Sequence, residues 1–248
     1  MTKINFESEE GRRVYRHTTS HILAQAVKRL YPETKLAIGP AIENGFYYDF
    51  DAENSFSPDE LLAIEKEMGN IIRENLPIEG FTLPRAEAIA FMEEKQEPYK
   101  VELIRDLPEE SEISFFRQGE FTDLCAGPHL ESTGMVKAVR LTSAAGAYWR
   151  GSEKNKMLKR IYGTSFPNKT ELEEHLVRLE DAKKRDHNRL GRELELFTTV
   201  DYIGQGLPIL MPKGAKVLQI LQRFVEDEEE RRGYMLTKTP FMAKSDLY

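Results

Sequence analysis

Apolar side chains return with a helical period in two parts of the first half of the chain. From Arg16 to Tyr31 they recur every three or four positions, which predicts a helix that Pro32 ends. A second helix is predicted to begin at Pro58, because proline followed by acidic residues favours a first helical turn. Its apolar stripe comprises Leu61, Leu62, Ile64, Met68, Ile71 and Ile72.

Aromatic and β-branched residues predict strands between and after these helices. The segment Gly45 to Phe50 is rich in aromatic residues and predicts a strand. A third helix is predicted over 84–94, and shorter strands around 113–116, 136–142 and 157–162. Because helices and strands interleave without a regular βαβ rhythm, the sequence favours an α+β fold.

The pattern changes after residues 163–169, where glycine, proline and asparagine predict a break. Thr170, with Glu173 three positions later, predicts the N-cap of a densely charged connecting helix that runs to about Arg189. A long helix over 215–232 and a strand over 234–239 are predicted beyond it. We therefore expect three segments, at 1–167, 168–189 and 190–248.

Composition narrows the class of protein. A chain of 248 residues can bury two cores, and no stretch forms a secretory signal or an apolar span across a bilayer. The single cysteine, Cys125, has no intrachain partner, which suits a reducing compartment and predicts a cytoplasmic protein. Net charge is −7, but phosphates respond to local charge. Two basic clusters therefore permit RNA binding without showing it: Lys154, Lys156, Lys159 and Arg160, then Lys183, Lys184, Arg185 and Arg189.

Histidine and cysteine occur in two pairs with the same spacing. His17 and His21 are four apart on the first predicted helix, so both imidazoles project from one face. Cys125 and His129 are also four apart, in a segment that Gly127 and Pro128 bend into a turn. Three imidazoles and a thiol form a complete tetrahedral ligand set for zinc, or the lining of a hydrolytic pocket. Surface histidines and a small buried cysteine are the structural alternative.

A longer set of motifs resembles one family. The segments RHTTSH at 16–21, AIGP at 37–40 and NGFYYD at 44–49 are similar to the start of the threonyl-tRNA synthetase editing domain. So are YK at 99–100, DLCAGPH at 123–129, GAYWRG at 146–151 and NKMLKRIYGT at 155–164. The order and spacing of these motifs hold along the chain. The resemblance implies the editing-domain fold shared by threonyl- and alanyl-tRNA synthetases.

The end of the chain resembles a different part of the same enzymes. KRDH at 184–187 with LG at 190–191 is similar to the beginning of the catalytic domain, and 233–242 is similar to class II motif 1. The resemblance implies a truncated catalytic domain without motifs 2 and 3. Ligation of threonine to tRNA(Thr), with its ATP and Mg²⁺, is then expected of the parent enzyme, as is the homodimer that motif 1 forms.

Editing follows from the small difference between serine and threonine. A synthetic site that holds threonine loses only one methyl contact with serine, about 1–3 kcal/mol, so a second hydrolytic site is needed. By resemblance, His17, His21, Cys125 and His129 line that site. Lys100 and Asp123 position the water and the seryl group, and Tyr48 contacts the terminal adenosine or the seryl group. The expected partner is the acceptor end of tRNA(Thr) carrying serine.

Three questions stay open in the sequence. Zinc could bind at the three histidines and the cysteine, although the threonyl branch of the family implies editing without a metal. A free-standing alanyl-tRNA-type deacylase would use a similar residue set. A non-catalytic tRNA-binding or dimerisation fragment would need none of it.

Overall fold

The computed structural model describes residues 6–204, 206–242 and 244–247. The chain divides into two compact units, the first ending at Leu176 and the second beginning at Val177. The helix α5 (Lys169–Lys184) begins in the first unit and continues into the second. The boundary lies inside a segment that the sequence assigns to one connecting helix. The three-part division into 1–167, 168–189 and 190–248 stays a prediction.

The first unit contains four complete helices and eight strands among its described residues. The helices are α1 (Glu9–Leu30), α2 (Pro58–Glu74), α3 (Arg85–Glu94) and α4 (Pro98–Asp106). The first four strands are β1 (Lys35–Leu36), β2 (Ala41–Ile42), β3 (Gly45–Asp51) and β4 (Ile78–Leu83). The others are β5 (Ile113–Gln118), β6 (Phe121–Leu124), β7 (Ala138–Tyr148) and β8 (Met157–Phe166).

Two antiparallel sheets organise these elements. The larger sheet has the order β1-β3-β8-β7, with β2 pairing on β3, and the smaller has the order β4-β5-β6. Tyr48 of β3 pairs with Ile161 of β8. Because side chains alternate along a strand, Phe46 and Phe50 lie on the same face of the sheet as Tyr48. This mixture of helices and antiparallel sheets agrees with the predicted α+β class.

The main core lies between the larger sheet and two helices. Phe46, Tyr48 and Phe50 are fully buried and pack in one cluster with apolar residues of α1 and α2, such as Ile22 and Ile64. A smaller cluster lies between the β4-β5-β6 sheet and helices α3 and α4. The strand β3, which is rich in aromatic residues, thereby supplies one wall of the main core.

Helix boundaries depend on caps that periodicity does not reveal. The helix α1 begins seven residues before the predicted Arg16, because Ser8 accepts a hydrogen bond from the Gly11 amide. The helix α2 begins at the predicted Pro58, with a complete capping box between Ser57 and Glu60. One member of its predicted stripe is wrong, because Leu62 is 59% exposed.

Two predictions about the charged connecting region are wrong, and one is met. The N-cap of α5 is Asn168 rather than Thr170, since the Asn168 side chain accepts from the Glu171 amide. The predicted helix to Arg189 is two helices, because Asp186 caps α6 (His187–Glu193). The break expected within 163–169 lies at residues 167–168, between the end of β8 at Phe166 and the start of α5 at Lys169.

The second unit is smaller. Among its described residues it contains the end of α5, then α6, the hairpin of β9 (Phe197–Thr198) and β10 (Ile209–Leu210), and α7 (Pro212–Arg231). The helix α7 confirms the predicted long helix, and Gly233 follows it with a φ of 83°. The strand predicted over 234–239 is wrong: no described strand pairs with these residues, and Met235 is 90% exposed. Within the described residues, no helix is both long and apolar enough to cross a bilayer.

The capping box of α2 gives a direct test of the fold. We expect Ser57→Ala to lower the free energy of unfolding of the first unit by about 1 kcal/mol, because the Glu60 amide loses its acceptor. Trp149, the only tryptophan of the chain, is buried in the first unit, so its fluorescence during urea unfolding measures the change. Ser55→Ala, two positions away on exposed chain, is the control and should leave stability unchanged.

Candidate functional site

Three histidines and the cysteine meet at one place in the first unit. One ligand atom from each of His17, His21, Cys125 and His129 lies within 4.8 Å of the others. The Cys125 Sγ is 3.3 Å from His17 Nε2 and 3.2 Å from His129 Nε2. The ring centroids of His21 and His129 are 4.3 Å apart. The structure therefore brings together all four residues of the two spaced pairs, which we call the His/Cys cluster.

Helix periodicity and a tight loop place these side chains. The two histidines of α1 are one turn apart, with ring centroids separated by 5.1 Å. The loop after β6 bends at Gly127, whose φ is +67° and whose amide donates to Cys125 Sγ at 3.2 Å. A Cβ at position 127 would lie 2.6 Å from the Phe116 ring. Glycine is therefore required where the loop turns Cys125 back towards α1.

Thr18 joins the loop to the helix. Its Oγ1 lies 3.2 Å from His129 Nδ1 and accepts a hydrogen bond from the Leu130 amide at 2.9 Å. The contact fixes the plane of the His129 ring and leaves Nε2 facing Cys125. Sequence reasoning missed Thr18, although its position next to His17 in the RHTTSH motif could have indicated it.

A buried polar triad lies beside the His/Cys cluster. The Tyr48 hydroxyl donates to Asp123 Oδ2 at 2.5 Å, and Lys100 Nζ donates to the Tyr48 hydroxyl at 3.0 Å. Lys100 Nζ is also 2.5 Å from Asp123 Oδ1, an ion pair whose angles do not meet hydrogen-bond geometry. Asp123 Oδ2 lies 3.8 Å from His21 Nε2. We call Tyr48, Lys100 and Asp123 the triad, and this last contact joins it to the cluster.

Backbone packing holds Tyr48 in place. A Cβ at Gly39 would lie 2.1 Å from the Tyr48 ring, so only glycine allows the AIGP segment to cover it. Ser20 of α1 donates to the Gly39 carbonyl at 2.6 Å and thus fixes that segment against the helix. Tyr48 therefore has both roles that its strand position allows: its ring is core and its hydroxyl belongs to the triad.

Burial sets the protonation of the cluster. Desolvation lowers the pKa of His17, only partly offset by the Asp123 charge, and lowers the pKa of His21 far more. The pKa of His129 also falls through burial, with the neighbouring histidines adding to the fall. Desolvation raises the pKa of the Cys125 thiol to about 11. At neutral pH the site holds neutral imidazoles and a thiol.

The two groups differ in exposure. His21, Lys100, Asp123 and Tyr48 are each at most 3% exposed, whereas His17, Cys125 and His129 are half-buried. A ligand arriving from solvent therefore meets the three half-buried side chains first. Lys100 and Asp123 also line a separate cavity of about 370 Å³ that no member of the His/Cys cluster borders.

The His/Cys cluster also has the composition of a zinc site. Three neutral imidazole nitrogens and one sulfur match a tetrahedral ligand set. Cys125 must lose a proton before it binds a metal, and its raised pKa opposes that step. The residues therefore fit a metal by type and spacing, with the thiol as the costly ligand.

Half of the cations in the two basic clusters pair with acidic groups. Arg160 makes two hydrogen bonds to Asp49, and Lys156 lies 2.7 Å from Asp51. Lys184 pairs with two acidic residues of its own helix, as Arg189 does with Glu193. These cations therefore offer less free positive charge to a phosphate backbone than the sequence suggests.

A known family matches a stretch of the chain that contains part of the site. Residues 113–162 match the family described as "Threonyl and Alanyl tRNA synthetase second additional domain". The matched stretch includes Asp123, Cys125 and His129, while His17, Tyr48 and Lys100 lie before it. The match thus covers two members of the His/Cys cluster and one of the triad, and the other members lie outside it.

Similarity to threonine–tRNA ligases extends over almost the whole chain. The chain is 64% identical over 98% of its length to a protein named "Threonine--tRNA ligase" from Clostridium perfringens strain SM101. It is 65% identical over 98% to the protein of that name from Clostridium botulinum strain Alaska E43, and 61% over its full length to that from Acetivibrio thermocellus. The chain spans 38–39% of the length of these relatives. The resemblance to threonyl-tRNA synthetase is confirmed.

The neutral imidazoles predict how stability depends on pH. Unfolded histidines take up protons below about pH 6.5, whereas buried His21 does not, so stability is complete above that pH and falls as pH drops. We expect His21→Gln to reduce the slope of unfolding free energy between pH 6 and 5 by about 1 kcal/mol per unit. Urea unfolding followed by Trp149 fluorescence measures it. His187→Gln, an exposed substitution in the second unit, is the matched control.

Proposed function

We propose that the chain hydrolyses serine from mischarged seryl-tRNA(Thr), as the editing part of a threonyl-tRNA synthetase. The observation that carries this proposal is the meeting of three neutral imidazoles and a thiol with a buried Lys–Asp–Tyr triad. The similarity to threonine–tRNA ligases gives the arrangement a tRNA ester to act on.

The reaction is the attack of water on the aminoacyl ester of the terminal ribose. A bond forms between the water oxygen and the carbonyl carbon, and the carbonyl oxygen takes the negative charge. The bond from that carbon to the ribose oxygen then breaks, and the ribose oxygen takes up a proton. The products are free serine and an uncharged tRNA, so no cofactor is consumed.

A neutral imidazole of the cluster is suited to accept the proton of water. His17 is half-buried, so a ligand can approach it, and burial lowers its pKa so that it is unprotonated at neutral pH. Its Nε2 also faces the Cys125 thiol. We assign His17 as the first choice for the base, with His21 and His129 shaping the pocket around it.

Lys100 supplies the positive charge for the transition state. Its ammonium group is almost fully buried, so its interaction with a developing oxyanion is weakly screened by water. Asp123 and Tyr48 hold that ammonium group in place through contacts of 2.5 and 3.0 Å. Asp123 is assigned to position Lys100 and the seryl group, and Tyr48 to contact the terminal adenosine or the seryl group.

The remaining parts of the proposal concern the whole enzyme. The second unit resembles the start of a class II catalytic domain through motif 1, and ligation of threonine with ATP and Mg²⁺ is proposed for the complete protein. A homodimer and a cytoplasmic location belong to the same proposal. The partner of this chain is the acceptor end of tRNA(Thr) that carries serine.

A comparison of two esters tests the activity. We expect the chain to deacylate threonyl-tRNA(Thr) about a hundredfold more slowly than seryl-tRNA(Thr). The extra methyl group of threonine must clash with the pocket wall. Release of labelled amino acid under single-turnover conditions measures both rates. Equal rates for the two esters would contradict selection against threonine. Hydrolysis of neither ester would favour a non-catalytic RNA-binding role.

Matched variants and a second tRNA sharpen this comparison. Lys100→Met is expected to slow seryl release by about a hundredfold, since a buried charge for the oxyanion is lost. Lys95→Met, on the loop before α4, is the control and should keep the rate. Preferential hydrolysis of seryl-tRNA(Ala) would instead identify an alanyl-type deacylase.

Metal removal is a separate test. We expect hydrolysis to survive dialysis against a chelator, because the protonated thiol disfavours a resident ion. Metal analysis of the dialysed protein and a seryl-tRNA(Thr) time course are the measurements. Stoichiometric zinc that leaves in parallel with activity would show that the cluster works as a metal centre.

A further inference from the structure

One buried carboxylate outside the proposed site joins three elements that carry or adjoin it. Glu97 immediately precedes α4 and is only 4% exposed. Its Oε2 accepts a hydrogen bond of 2.6 Å from the Leu36 amide, and its Oε1 lies 3.0 Å from Lys28 Nζ. Leu36 belongs to β1 and Lys28 to α1, so a single side chain joins three elements.

Two of these elements bear part of the site, and the third lies next to a strand that does. The helix α4 carries Lys100, α1 carries both helical histidines, and β1 pairs directly with β3, which carries Tyr48. The Glu97 carbonyl also accepts from the amides of Lys100 and Val101, which makes it the first acceptor of α4. The residue therefore sets both the origin of the helix and its attachment to the sheet.

The Leu36 amide has a specific need for this carboxylate. The strand β1 lies at one edge of its sheet, and the backbone amides of an edge strand need partners other than a strand. Glu97 satisfies the Leu36 amide in the interior, where a lost partner is costly. Lys28 balances the charge and also donates to the carbonyls of Pro32 and Thr34, so it fixes the turn after α1.

We propose that Glu97 is a positioning residue for ester hydrolysis: by locking the start of α4 to β1 and α1, it sets the position of the Lys100 ammonium group relative to the His/Cys cluster. This inference rests on the proposed deacylase function. Glu97 lies outside the reacting atoms, and its effect is transmitted by the single helical turn that separates it from Lys100.

Glu97→Gln tests the proposal with little change in shape. The glutamine side chain has only one acceptor oxygen, whereas both carboxylate oxygens of Glu97 face donors. Its NH₂ group must therefore face either the Leu36 amide or the Lys28 ammonium group, which are both donors. We expect kcat for seryl-tRNA(Thr) to fall about tenfold with KM within about twofold, because a misplaced Lys100 affects the transition state more than binding. Rates are taken per folded molecule, with the folded fraction from circular dichroism.

Glu102→Gln is the matched control on the same helix. Glu102 pairs with Trp149 and Arg150 rather than with β1 or α1, so both constants should stay within about twofold. If Glu97→Gln does not fold, Lys28→Gln takes its place, since that side chain is partly exposed, and about a threefold fall in kcat is expected.

The outcomes separate this inference from the proposed function. An unmodified chain that releases no serine contradicts both. An active chain whose Glu97→Gln variant keeps its kcat per folded molecule, raises KM instead, or behaves like Glu102→Gln contradicts the positioning role alone. A fall in kcat confined to Glu97 and Lys28 supports it.

Discussion

The site depends on keeping the charge of Asp123 inside the protein. A carboxylate that is 2% exposed is stable only if cations and donors surround it, and Lys100 and Tyr48 meet that requirement. Because they come from α4 and β3, pairing one charge brings distant parts of the chain together. His21, 3.8 Å from the same carboxylate, extends the arrangement to α1. The fold is therefore built around an interaction that is costly to break and that defines the geometry of the site.

Burial gives the His/Cys cluster its chemical character. The same desolvation that lowers the pKa of the imidazoles raises the pKa of the thiol, so the cluster is uncharged beside a buried ion pair. Neutral imidazoles suit proton acceptance from water and metal ligation equally. The two uses require different protonation states of Cys125. Hydrolysis needs only a neutral thiol that lines the pocket, whereas zinc binding needs the thiolate. The protonation state of Cys125 therefore distinguishes a metal-free hydrolytic pocket from a zinc site built on the same four side chains.

Spacing alone was enough to predict the two pairs, because an i, i+4 relation on a helix and a glycine–proline turn are local features. Nothing local joins Tyr48, Lys100 and Asp123, which are far apart in sequence; their grouping came from family resemblance. Thr18 and Glu97 escaped prediction because a threonine in a helix and a glutamate before one are common, and only tertiary contacts distinguish them. The strand predicted over 234–239 failed for the opposite reason: its local pattern is strand-like, but a strand requires a partner, and the described residues supply none.

The proposed rejection of threonine by its one extra methyl group would place a mechanical demand on the site. A methyl group discriminates only if the wall it meets cannot retreat, and flexible side chains yield at little cost. The half-buried surface that a ligand meets is made of His17, Cys125 and His129, each fixed by a short tether. Thr18 fixes the ring of His129, the Gly127 amide holds Cys125 Sγ, and Cys125 contacts His17 in turn. Glu97 would do the same for Lys100 from the other side. Under the proposed function, specificity for the smaller amino acid would depend more on how these residues are held than on which residues line the pocket.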